Sequence, residues 1–131
     1  MAAEPYTRLR ADASPADLGT AIRTALSAFR DQVPHPTTWV RYKNPLPAAA
    51  GFRSNRLFHH NAVMCSVEDS DIAICFTPTQ NGGSFGPGRG FQALFSLAST
   101  INLSVKPREI GLAAMKALAL SIPFPKPDDA A

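Results

Sequence analysis

The sequence predicts an α+β fold: an antiparallel β-meander sheet packed by two similar helices, each preceded by a short strand. Three observations predict it. The pattern P-x-[DE]-[LI]-G-x-A-x-x-x-A-L occurs twice, from Pro15 to Leu26 and from Pro107 to Leu118. Between the copies, apolar and polar residues alternate in short runs separated by turn-forming stretches, as half-buried strands require. Finally, 131 residues of ordinary composition are enough for one core and one domain. The domain is expected to span 1–131, with short flexible ends at about 1–5 and 123–131.

The elements follow in order. A strand-like run at 6–10 leads to Ser14, a good N-cap, with Pro15 at the first helical position and Asp17 in the first turn. Leu18, Ile22, Leu26 and Phe29 then recur at helical spacing and form one apolar stripe. Residues 31–50 carry Pro34, Pro36, Pro45 and Pro47, which argue against a helix there. Within that stretch 37–42 is β-prone and holds the single tryptophan, Trp39, read as a core anchor ahead of an exposed one. Residues 58–67 alternate as a strand, with Val63, Cys65 and Val67 on one face. Turn-forming 68–71 follows, then a second strand at 72–77 completes a hairpin. Residues 79–90 read as a loop. Phe91, Ala93, Phe95 and Leu97 alternate as a further strand, with helix as the alternative.

The last strand, 101–105, precedes the second repeat helix, 107–121. Its Glu109 opposes the positive end of the helix dipole, and Ile110, Ala114, Ala117, Leu118 and Ser121 make its inward stripe. Both helices carry a glycine at the same place, Gly19 and Gly111. Glycine inside a helix costs roughly 1 kcal/mol against alanine. Close approach of a neighbouring backbone is the physical reason to keep it. Both are therefore expected to be buried.

The net charge of +3 is mild but unevenly placed. No acidic residue occurs from Gln32 to Val67, where Arg41, Lys43, Arg53, Arg56 and all three histidines fall, nor from Ile72 to Arg108. The chain shows no secretion signal and no apolar run of membrane-spanning length, so a cytoplasmic location is expected. Cys65 and Cys75 lack metal-ligand spacing and read as reduced thiols within strands, with a cross-strand disulfide the minor alternative.

Few places can carry chemistry. His59 and His60 are adjacent, so on a strand they would point to opposite faces and could not share a metal or a proton. Glu68, Asp69 and Asp71 crowd one turn without a calcium-loop pattern. Ser84 has no nucleophile context. The glycine-rich stretch 81–90 has neither the Lys-Ser/Thr ending of a phosphate loop nor the dinucleotide fingerprint. No catalytic residue, metal site or cofactor is expected.

Residues 12–30 resemble the S-x-x-[DE]-[LI]-G-x-A-[IVL]-x-x-A-L helix of bacterial contact-dependent growth inhibition (CDI) immunity proteins. The second repeat helix and the Gly86-Pro-Gly-Arg-Gly-Phe91 turn are similar to features of the same family. The resemblance covers about a third of the chain and leaves 32–50 and the basic middle unmatched. It implies a small, non-enzymatic cytoplasmic protein that neutralises the C-terminal toxin domain of a contact-delivered effector, often a nuclease. The basic charge runs against the acidic character usual in inhibitors of nucleases. On this reading the toxin would be met by the turn with Glu68, Asp69 and Asp71 and by the loop with Phe85 and Arg89, aromatic and arginine side chains being common anchors of interfaces. A competing reading folds Phe85 back onto the sheet as core. The alternative function is a small nucleic-acid-binding module using Arg41, Lys43, Arg53, Arg56 and Arg89, with Trp39, Tyr42, Phe52 and Phe58 interleaved as stacking groups.

Overall fold

The computed structural model describes residues 6–28 and 46–124. The expected β-prone run at 37–42, with Trp39, Arg41, Tyr42 and Lys43, lies outside the described residues, as do His35 and Phe29.

Helix α1 spans Pro15–Ser27 and starts as its sequence dictates: the Asp17 amide donates to Ser14 Oγ at 3.1 Å, with Pro15 at the first position. Two short helices follow, α2 (Leu46–Ala49) and α3 (Asn55–His59). Strands β1 (Cys65–Asp69), β2 (Ala73–Asn81), β3 (Phe91–Ala93) and β4 (Ser99–Asn102) form one four-stranded antiparallel sheet. Helix α4 (Pro107–Leu120) is the last helix among the described residues. The α+β class and the two helices packed on an antiparallel sheet match the expectation.

β2 is the axis of the sheet. β1 lies on one side, with Val67 opposite Phe76, and β3 and β4 share the other. β3 and β4 are one strand broken in two. Between Thr79, paired with Ala93, and Phe76, paired with Ser99, β2 has two residues while the facing edge has five. The surplus is taken up by a 3₁₀ turn, Phe95–Leu97. The expected strand over 91–97 therefore stops at Ala93, because an edge strand tolerates an insertion that a central one would not.

Other expectations are corrected. Residues 6–10 form no strand, although the helix after them is in place. The strand expected from Phe58 begins only at Cys65, because Ser54 caps a helix first: the Leu57 amide donates to Ser54 Oγ at 3.2 Å. Asn61, with φ 60°, then ends α3 in the left-handed conformation that asparagine tolerates. Thr79–Asn81, expected in a loop, extend β2. Pro123 and Phe124, expected in a flexible end, are held: Ile122 N donates to Thr79 O at 2.9 Å and Asn61 N to Phe124 O at 2.7 Å.

The core lies between sheet and helices. Ile74, Phe76 and Ile110 are fully buried, with Ala114 and Ala117 beside them. Leu18, Ile22, Leu26, Val67, Ile101 and Val105 pack around this centre. Fully burying an isoleucine or phenylalanine contributes about 1.5–3 kcal/mol.

The two glycines explain the repeat. A Cβ on Gly19 would run into the Pro107 carbonyl, and one on Gly111 into the Pro15 carbonyl. Each helix thus lays the backbone of its first turn in the notch left by the other's glycine. The pairing is reciprocal, so both copies of the motif must keep both the proline turn and the glycine. One position breaks the symmetry: Arg23, which aligns with Met115, donates from Nη2 to the carbonyls of Val105 at 2.7 Å and Leu103 at 3.2 Å. It holds the connection from β4 to α4 against α1.

Candidate partner-binding site

The residues singled out in the sequence fall at opposite ends of β2. Glu68, Asp69 and Asp71 lie at the β1–β2 turn, which is closed by Ser70: its amide donates to Ala73 O at 2.8 Å, and its Oγ accepts from Ala73 N at 3.2 Å. Phe85 and Arg89 lie in the loop 82–90, which leaves β2 at its far end. Nine strand residues separate the two groups, about 27 Å of extended chain. All five side chains are exposed.

The loop is an ordered structure. Gly82 N donates to Gly90 O at 2.7 Å, Gly90 N to Gly83 O at 2.9 Å, and Arg89 N to Gly86 O at 3.2 Å. Gly83 and Gly90 adopt φ of 85° and 86°, where a side chain would strain the backbone. Its root is fixed by Asn81, which is 1% exposed. The Asn81 amide donates to His59 O at 2.7 Å and Ala62 O at 3.0 Å, while its Oδ1 accepts from Gly83 N at 2.9 Å. Phe85, held above this frame, is 79% exposed, which settles the choice between core and surface in favour of surface.

α3 is docked at the same end. Asn81 holds its last carbonyl, and the His59 ring stacks on Phe91 with centroids 5.2 Å apart. Phe58 meets His59 edge-on at 5.4 Å and Phe52 at 5.9 Å. The two histidines are thereby separated: His59 is buried in this aromatic row while His60, the C-cap of α3, is exposed. They lie on a helix end instead of a strand, yet they still cannot act jointly on one ligand.

Sequence reasoning missed Thr79, placed in a loop, and the polar role of Ser121, placed on the inward face of α4; it also misplaced Phe95. Thr79 and Ser121 form a buried polar link: Thr79 Oγ1 donates to Met64 O at 2.6 Å, and Ser121 Oγ accepts from Thr79 N at 3.2 Å. This link joins β2, the end of α4 and the lead-in to β1. Phe95 is 80% exposed; the sequence puts 91–97 in a strand with helix as the alternative, and the structure takes strand for Phe91–Ala93 and a 3₁₀ turn for Phe95–Leu97. No local motif announces it, because the insertion is visible only once the strand register is known.

The cysteines cannot pair. Cys65 lies opposite Pro78 on the core side, while Cys75 lies opposite Glu68 on the other face. Burial pushes the Cys65 thiol above its ordinary range, outweighing a backbone hydrogen bond that acts the other way. Among the described residues no group of three or more His, Cys, Asp or Glu side chains could hold a metal. No described helix is long and apolar enough to cross a membrane. An apolar groove between residues 6–9, α1 and Phe58 is lined by Leu9, Leu18, Ala21 and Ile22, with Arg8 its one charged lining residue among the described residues. What the described surface offers is contact area, with exposed side chains on an ordered frame.

The fold is similar to that of a solved Neisseria meningitidis protein of unknown function, with a TM-score of 0.65 at 17% identity over 86% of this chain and 74% of that one. A search of curated proteins returns no match. The family model for CdiI, the CDI immunity protein, matches residues 5–121, almost the whole chain and far beyond the third in which the sequence resemblance was first visible. The chain belongs to the CDI immunity protein family.

Proposed function

We propose that the protein binds the cognate C-terminal toxin domain of a contact-dependent growth inhibition effector in the cytoplasm and neutralises it stoichiometrically, with no turnover of its own. The toxin is proposed to be a nuclease. Family membership over residues 5–121 carries this reading. Two exposed connections on the ordered frame are candidates for the contact, at opposite ends of β2: the loop with Phe85 and Arg89, and the hairpin turn with Glu68, Asp69 and Asp71. Loops held by a rigid scaffold can vary to fit a partner without costing the fold.

Co-expression with the toxin domain encoded beside it is the test. Cells should survive, and a one-to-one complex should co-purify. Continued killing with no complex would reject the reading.

A second reading, a nucleic-acid-binding module, draws on Arg53, Arg56 and Arg89 lying at one end of the sheet. It is the weaker of the two. A stacking platform needs free aromatic faces, and here Phe58 and His59 are engaged with their neighbours. Retention of single-stranded RNA that falls steeply with salt would support it.

A further inference from the structure

The two ends of β2 differ in charge. At the hairpin end Glu68, Asp69 and Asp71 are joined by the start of α4, since Leu103 N donates to Ile72 O at 3.1 Å, and this brings in Lys106, Arg108 and Glu109. That end is mixed in sign. The loop end is built from 52–64, 79–98 and 121–124, none of which contains an acidic residue. It presents Arg53 and Arg56 flanking the start of α3 and Arg89 in the loop, all exposed. Two aromatic side chains stand out along the same edge: Phe85 is 79% exposed and Phe95 80%. Loop 82–90 runs straight into β3, and the 3₁₀ turn follows it. Residues 95–98 are all exposed and uncharged. Isolated exposed apolar residues are ordinary, but an uncharged run beside a second exposed aromatic marks a contact surface. Ile72, at the hairpin end, is 77% exposed, but it stands next to Asp71 inside the tight turn closed by Ser70 and Ala73, with no aromatic neighbour in that turn.

We propose that the toxin domain seats on the loop end of the sheet, with Phe85 and Phe95 as anchors among Arg53, Arg56 and Arg89, and that the toxin surface it covers is acidic. This deepens the toxin-binding reading and rests on it. Two observations favour such a partner. The charged side chains of 52–64 and 79–98 are Arg53, Arg56 and Arg89, and such a surface steers and orients an acidic partner and repels a basic one. The loop that carries Phe85 and Arg89 is closed by its own backbone hydrogen bonds, so little ordering remains to be done on binding. The extra residues that break β3 from β4 acquire a purpose on this account. They lift Phe95 out of the ladder and towards the partner. The basic character of the chain, which runs against an inhibitor of a basic nuclease cleft, follows if the covered surface is a different, carboxylate-bearing one.

Association and dissociation rates between the full chain and the toxin domain encoded beside it decide the matter. Reversing the three arginines (R53E, R56E and R89E together) should slow association by about tenfold or more and abolish its salt dependence. Phe85→Ala with Phe95→Ala should speed dissociation by about tenfold or more. Reversal of Glu68, Asp69 and Asp71 to lysine should leave both rates within about twofold, and melting temperatures should not move. The placement is overturned if the arginine and phenylalanine variants bind like the unaltered chain, or if the acidic-turn variant alone loses binding. It is also overturned if the phenylalanine pair proves to hold two copies of this chain together, or if the arginines retain RNA while toxin binding survives their reversal. Failure of the unaltered chain to bind the toxin would reject the parent reading, and this placement with it.

Discussion

The crossing of α1 and α4 and the loop end of the sheet are both rich in glycine, yet the glycines serve opposite purposes. At the crossing, Gly19 and Gly111 let backbone meet backbone, and each is buried. In the loop, Gly83 and Gly90 permit turns that close a surface structure and leave Phe85 and Arg89 facing outward. One region spends its sequence on stability and the other on presentation. If that division is right, substitutions should separate cleanly: damage at the crossing lowers stability, and change at the loop end lowers affinity alone.

The largest effect is expected at the crossing. Gly19→Leu or Gly111→Leu forces apart two backbones with no flexible side chain to yield, and should cost about 3 kcal/mol, the upper part of the overpacking range. Chemical denaturation will show it as a lower midpoint. Even Gly19→Ala should lower it, because the clash begins at Cβ. Next comes Asn81→Ala, which strands two buried carbonyls and one amide and should cost about 2–3 kcal/mol. It would blur the comparison in an informative way, since Asn81 belongs to the frame and also fixes the loop. Phe85→Ala and Phe95→Ala sharpen the comparison from the other side, and each should change stability by no more than about 0.5 kcal/mol. A large loss of stability from either would show that the loop end carries the fold.

The smallest effect is a pH dependence at Cys65. Its thiol is held above its ordinary range by burial, so the folded state keeps the proton longer than the unfolded chain. That contribution is fully present below the unfolded thiol value of about 8.5 and is lost as pH rises through the folded value. Stability of the intact chain should therefore decline above about pH 8.5 more steeply than that of Cys65→Ala, as pH-dependent denaturation will record.

What the sequence made legible follows the same division. The crossing was readable because its demands are local and repeated: a capped or proline-led first turn, a glycine four residues on, an apolar stripe at helical spacing. The same reasoning found the hairpin and placed Phe85 and Arg89 in the loop, while leaving Phe85 open between surface and core. It failed where pairing decides. Nothing in 91–97 reveals that the facing stretch of β2 is three residues shorter, so Phe95 was read as part of an unbroken strand. Thr79 and Asn81 looked like loop because polar residues beside glycines usually are, and only the carbonyls of His59, Ala62 and Met64, distant in sequence, give their side chains a buried role. Ser54 was a legible cap that was passed over, which cost the assignment of α3.

The central claim is that recognition belongs to the loop end of the sheet and stability to the crossing. Amide hydrogen exchange of the chain, alone and saturated with its cognate toxin domain, tests this most directly. The account predicts new protection concentrated in residues 52–60 and 82–98, with the α1–α4 crossing and the turn at 68–71 unchanged. Protection confined to 65–72 or to the outer faces of the two helices, with the loop end exchanging as before, would contradict it.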